Sequence, residues 1–165
     1  EEEDLRENFR IVNTYSEKSM KTRLEKSGKV MEFETDLSKE QAVPFELVIF
    51  FLRKNLIKIL QTENYSFTLF LPLLALELEE KGLPRSMSMI RMVAELKEKI
   101  SLDTPLGQIQ GCKILIFPQS GILRALIPRE KTHFEFTFSA EAPYHLLEFE
   151  VSETRHMLTQ LVLDE

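Results

Sequence analysis

The sequence predicts a mainly β protein of the α+β class, a twisted antiparallel sheet that carries one strong helix. Three stretches carry that prediction. Residues 99–117 read KISLDTPLGQIQGCKILIF, two apolar runs around Asp103, Thr104, Pro105, Leu106 and Gly107. Pro105 presets its own φ and Gly107 can take φ > 0 without a Cβ clash, so the stretch reads as strand, tight connection, strand. Residues 133–139, HFEFTFS, alternate strictly, with Phe134, Phe136 and Phe138 facing one way and His133, Glu135 and Thr137 the other. Such alternation marks a half-buried strand with one aromatic face. In 45–60, Phe45, Val48, Ile49, Leu52, Leu56 and Ile59 recur at helical spacing behind Pro44, a residue suited to a first turn.

Taken in order, 1–36 contain short alternations through Phe9, Ile11 and Asn13, then Met20, Thr22 and Leu24, then Met31, Phe33 and Thr35. Lys26, Ser27, Gly28 and Lys29 supply hairpin chemistry between the last two runs. A strand followed by an antiparallel pair is preferred over a helix across 5–24. The helix at 45–60 is apolar all round in its first half, where Leu47, Phe50 and Phe51 share a side with Lys54 and Lys58, so both sides of that half are expected to be covered. Residues 65–71 alternate as a strand ended by Pro72, and Leu74, Leu76 and Leu78 alternate again before the turn at Lys81, Gly82, Leu83 and Pro84. Residues 87–100 fit a helical stripe (Met89, Met92, Val93, Leu96, Ile100) as well as a strand face (Ile90, Met92, Ala94, Leu96), and periodicity leaves the two open. Behind 99–117 come a turn at 118–121, an apolar run at 122–127, the strand at 133–139, and a final hairpin of 144–151 and 157–163 across 152–155.

A length of 165 residues suits a single domain over 1–165, and 43% apolar with 29% charged residues marks a globular chain. With 21 basic against 27 acidic side chains the net charge is -6, which repels phosphate backbones and argues against a nucleic-acid partner. Cys112 is the single cysteine, so no intrachain disulfide forms and no zinc site is built from thiolates alone. The chain opens on EEED without a basic n-region, an apolar h-region or a cleavage site, so an export signal is expected to have been removed or never to have existed. Glu46, Arg53, Lys54 and Lys58 interrupt the apolar helix, which is also shorter than the roughly 20 residues of a membrane span.

Motifs for catalysis are missing. His133, His145 and His156 lack ligand spacing and are expected on polar strand faces, so neither a metal nor another cofactor is expected. Gln119, Ser120 and Gly121 do not make a nucleophile elbow, the five glycines make no phosphate loop, and Cys112 reads as a small buried hydrophobe. No enzyme activity and no catalytic residue is therefore assigned. What remains is a set of rings and thioethers suited to an acyl chain or to an ordinary core: Phe45, Phe50, Phe51, Phe67, Met89, Met92, Phe134, Phe136 and Phe138. Arg53, Lys54 and Lys58 form a second candidate set, a basic helix face for surface interaction.

Segment 93–118 holds Glu98, Ile100, TPLG at 104–107, and Cys112, Lys113 and Ile114 before Pro118. It is preceded by PFELVIFFLR at 44–53 and YSFTLFLPL at 65–73, and followed by GILR at 121–124 and FEFTFSAEAPYHLLEFE at 134–150. In order this resembles a bacterial family of exported proteins, domain of unknown function 3108, over about 22–151. Ile109 stands where that family has an aromatic, Phe136 where it often has Trp and Glu141 where Asp is common, and its opening strands are missing. The resemblance implies kinship with the unclosed β-barrels that carry lipoproteins or lipids across the periplasm, hence an exported, periplasmic or cell-envelope location. It also implies that 87–100 is strand and that the helix packs on the concave side of a curved antiparallel sheet, a half-barrel. The expected function is then non-catalytic binding of a lipid, an acyl chain or an apolar peptide segment in a groove between sheet and helix. The alternative is an interaction module without a small ligand, docking an envelope protein or a membrane surface.

Overall fold

The structure, a computed structural model, describes residues 9–26, 29–38, 42–71, 74–75, 78, 81–105, 107–126, 133–151 and 154–157. The chain divides into two compact units, Glu1–Ala42 and Val43–Glu165. In the first, β1 (Phe9–Tyr15), β2 (Ser19–Lys26) and β3 (Lys29–Asp36) form an antiparallel meander. Strands therefore replace the competing helix, and Lys26 opposite Lys29 leaves a two-residue connection whose Ser27 and Gly28 lie outside the described residues. Asn13, Thr22 and Phe33 share one register line. Thr22 and Phe33 on it are buried, and the Thr22 hydroxyl donates to Asn13 Oδ1 at 2.9 Å, so the buried hydroxyl is satisfied.

The second unit is the half-barrel. Strands β5 (Tyr65–Phe70), β6 (Met89–Thr104), β7 (Gly107–Pro118), β8 (Phe134–Ser139), β9 (Leu146–Val151) and β10 (Thr154–Met157) are successive antiparallel neighbours in a curled sheet, with the short β4 (Ala42–Pro44) beyond β5. A 3₁₀ turn, Phe45–Leu47, leads into α1 (Val48–Gln61). A second 3₁₀ turn, Arg85–Ser88, enters β6, and α2 (Gly121–Leu126) leaves β7.

Pairing is staggered: β5 bonds only to the first part of β6, from Tyr65 opposite Ala94 to Phe70 opposite Met89, whereas β8 bonds to β7 from Phe134 opposite Ile116 to Ser139 opposite Gly111. Such stagger is how a sheet curls toward a barrel. The register collects Phe67 and Leu69, Ile90, Met92 and Ala94, Ile114 and Ile116, and Phe134, Phe136 and Phe138 into one cluster. From α1, Val48, Leu52, Leu56 and Ile59 pack into the same cluster, so the helix fills the concave side.

The open reading of 87–100 resolves to strand from Met89 onward, behind the 3₁₀ turn that holds Met87 and Ser88, with a bulge between Leu96 and Glu98 that pushes Lys97 out of register. Three sequence expectations change. Leu74, Ala75 and Leu78 are helical rather than extended: Ala75 N–H bonds the Leu71 carbonyl at 3.0 Å, and Leu74 and Leu78 sit one helical turn apart. Strand β8 is covered on both faces, since Thr137 is as inaccessible as Phe136. The last hairpin turns earlier than expected, with Thr154 and Arg155 already in β10, and 158–163 lie outside the described residues.

Candidate docking face

Along α1, helical spacing sorts the side chains cleanly. At 3.6 residues per turn Phe50, Lys54 and Ile57 project along one line, Arg53 and Lys58 flank it, and Val48, Leu52, Leu56 and Ile59 lie on the opposite side. The structure agrees: the second set is buried, while Phe50 is 67% and Ile57 52% exposed and Arg53, Lys54 and Lys58 are exposed. The expectation that both sides of the helix start are covered therefore fails at Phe50. Phe51 is covered, with its ring 4.9 Å from that of Phe67 and 6.2 Å from that of Tyr65. Phe50 projects 100° away from Phe51, beyond the sheet's reach.

Val48–Gln61 contains no Asp or Glu, in a chain with 27 of them. Lys58 stands in the last turn, where the partial negative charge of the helix end favours a cation. Arg53 Nε donates to the Pro143 carbonyl at 2.8 Å, tying the helix to the turn between β8 and β9. Among the described residues Lys54 and Lys58 take part in no ion pair. Tyr65 donates from its hydroxyl to Asn55 Oδ1 at 3.2 Å, and Asn55 Nδ2 donates to the Phe51 carbonyl, which holds the helix flank next to β5.

The expected groove residues separate into three groups. Phe67, Met92, Phe134, Phe136 and Phe138 are buried in the cluster, and Phe45 and Phe51 pack against it, Phe45 with its ring 5.3 Å from that of Phe134. Met89 pairs with Phe70 and so belongs to the opposite face of the sheet from Met92. Phe50 alone of the nine is on the surface. Sequence reasoning missed Ile57, although the same projection that joined Phe50 to Lys54 places Ile57 on their line.

Of the histidines expected on polar strand faces, His133 and His145 are half-buried and His156 is exposed on β10. His133 stacks on Phe117 and His156 on Phe149, with centroids 5.9 Å and 4.3 Å apart, and His156 sits opposite Phe149 in the β9–β10 register. Cys112 is buried opposite Phe138. Among the described residues no three His, Cys, Asp or Glu side chains gather as a metal site, and no helix is long and apolar enough to cross a membrane. A shallow depression of about 420 Å³ on the three-stranded sheet is lined by Val12, Thr14, Lys21, Thr22, Arg23, Glu32, Phe33 and Glu34, and there Arg23 already pairs with Glu32 at 3.4 Å. No family model, no curated protein and no solved structure matches this chain.

Proposed function

We propose that this protein is a non-catalytic interaction module that docks through the outer face of α1 onto an anionic membrane surface. The observation that supports this reading is the acid-free exposed face itself, Phe50 and Ile57 on one line between Arg53, Lys54 and Lys58. Cations held beside an anionic leaflet contribute about 1 kcal/mol each, so three of them favour the surface on the order of 100-fold before any insertion of Phe50. The helix is already folded against the sheet, so docking carries no ordering cost. Two apolar anchors about 10 Å apart along the axis are few for a protein partner, whose stable interfaces bury about 800 Å² a side. A fluid lipid surface requires no such matched relief. The envelope location implied by the resemblance of the TPLG segment would bring α1 beside such bilayers.

A ligand between sheet and helix is the weaker reading. Val48, Leu52, Leu56 and Ile59 occupy the concave side, and an acyl chain would have to displace them. The deciding experiment is co-sedimentation with vesicles of pure phosphatidylcholine and of phosphatidylcholine mixed with phosphatidylglycerol. The expected result is binding to the mixed vesicles alone, weakened by salt and lost in the Lys54→Glu/Lys58→Glu double variant. Equal binding to neutral vesicles, or a double variant that binds as well as the parent, would overturn the proposal.

A further inference from the structure

The half-barrel end where β6 begins and β7 ends carries a second group of exposed apolar and basic side chains. Met92 is opposite Pro118, and Gln119 N–H bonds the Arg91 carbonyl at 2.8 Å, so the 3₁₀ turn before β6 and α2 after β7 belong to the same end. Residues 81–94 and 104–129 contain no Asp or Glu, although the chain has 27 acids among 165 residues. On this end Leu83, Met87 and Ile122 are exposed by 44%, 56% and 72%, and Arg91 and Arg124 are exposed with them. Arg124 lies over the Phe117 ring at 5.4 Å, which holds the guanidinium at the surface beside the apolar side chains. Together with Phe50 and Ile57, these are the large apolar side chains most open to water in the described part of Val43–Glu165.

We propose that this end is a second lipid-contacting surface, in which Met87 and Ile122 enter the headgroup and acyl boundary of an anionic bilayer while Arg91 and Arg124 meet its phosphates. The proposal extends the reading of α1 to a second patch of the same unit. The chemistry matches that boundary: flexible or branched apolar tips on the same end of the unit as two exposed arginines. A second copy of this chain fits less well, because a two-fold contact through the patch would set Arg91 and Arg124 against their own equivalents.

The test uses the full chain with an environment-sensitive fluorophore attached at Met87→Cys, at Ile122→Cys and, as an aqueous control, at the exposed Ser101→Cys. Native Cys112 is buried and is further removed from labelling by Cys112→Ser. With phosphatidylglycerol-containing vesicles, blue-shifted emission is expected at 87 and 122 and none at 101, and Met87→Ser/Ile122→Ser is expected to lower vesicle partition roughly tenfold. Unshifted emission at 87 and 122, with the parent still sedimenting and the α1 double variant not, overturns this proposal and leaves the α1 reading standing. Shifted emission at both positions with an α1 double variant that binds normally does the opposite, overturning the α1 reading and supporting this one. A blue shift that follows protein concentration without vesicles assigns the patch to self-association and overturns it, and a parent chain that binds no vesicle overturns both.

Discussion

The two faces of the half-barrel sheet are built on different physics. On the concave face the register lines up apolar side chains strand after strand: Phe67 with Met92, Ala94 with Ile116, Ile114 with Phe136, Phe136 with Phe149. On the opposite face the same strands present Glu98, Lys113 and Glu135, joined through the bulged Lys97. Lys97 Nζ donates to Glu135 Oε1 at 2.5 Å, and Lys113 lies 3.6 Å from both Glu98 and Glu135. Burial of apolar area is non-directional and additive, so the concave face is where stability accumulates. Ion pairs near water are worth little each but are particular about geometry, so the other face is where strand alignment is policed. Gly111 adds a third element there, because a Cβ at that position would meet Thr137 Cγ2 at 2.9 Å and the Phe138 carbonyl at 3.3 Å.

Substitutions ranked by expected effect can break this contrast. Phe136→Ala, 1% exposed at the centre of the concave cluster, is expected to destabilise by about 3–5 kcal/mol, read as a lower midpoint in urea unfolding. A loss below about 1 kcal/mol would mean that the cluster collapses onto the space or is not the main core. Gly111→Ala comes next, at about 1–3 kcal/mol, because the stiff Thr137 side chain and a backbone carbonyl must both give way. A neutral result would show that the two strands can separate at that point.

Glu135→Gln sharpens the comparison through pH. Burial raises the Glu135 carboxyl's pKa, but the Lys97 hydrogen bond and the charges of Lys97 and Lys113 outweigh it, leaving it below its ordinary 4.5. The Lys97 ammonium is raised above its ordinary 10.5, chiefly by its hydrogen bond to Glu135. The carboxylate's contribution is thus present above pH 4.5 and fades as acid titrates it through its lowered folded value. The ammonium's contribution is present below pH 10.5 and is lost as alkali passes the raised folded value. The pair is largely solvated, so Glu135→Gln should cost less than about 1 kcal/mol at neutral pH, with the gap from the parent closing as pH falls below 4.5. A gap that persists into acid would assign the effect to packing. Smallest of all, Phe50→Ser should change stability by no more than about 0.5 kcal/mol. A larger loss would place Phe50 in a contact and remove it from the docking face.

Much of this architecture can be read from residue patterns, and the exceptions have physical causes. The hairpin at 99–117, α1 and β8 were legible because turn chemistry and periodicity agreed, and Gly107 does take a positive φ of 104°. Residues 87–100 were ambiguous for two reasons. Val93 is buried on the face opposite Met92, and the bulge at Lys97 shifts the inward phase so that Ile100 no longer follows Leu96. A strand covered on both faces and then bulged imitates a helical stripe. The aromatic set was legible as a cluster, but composition does not say whether rings line a cavity or meet a helix. Burial on the second face of β8 was hidden because Thr137 is covered through Gly111 and Leu147, residues distant in sequence.

The stagger that curls the sheet also leaves the β6–β7 hairpin longer than its neighbours. Met92 is paired on both sides, with Phe67 and with Pro118, whereas among the described residues Leu102, Asp103 and Thr104 pair only with Ile109, Gln108 and Gly107 across the turn. The tip is a two-stranded ribbon whose opening breaks no bond to the rest of the sheet. Its amide protons should exchange with deuterated water through local fraying, while those near Met92 wait for the whole unit to open. The same independence makes the turn at Pro105 a natural insertion point, where a peptide tag or reporter would ride on the ribbon and leave the half-barrel folded beneath it.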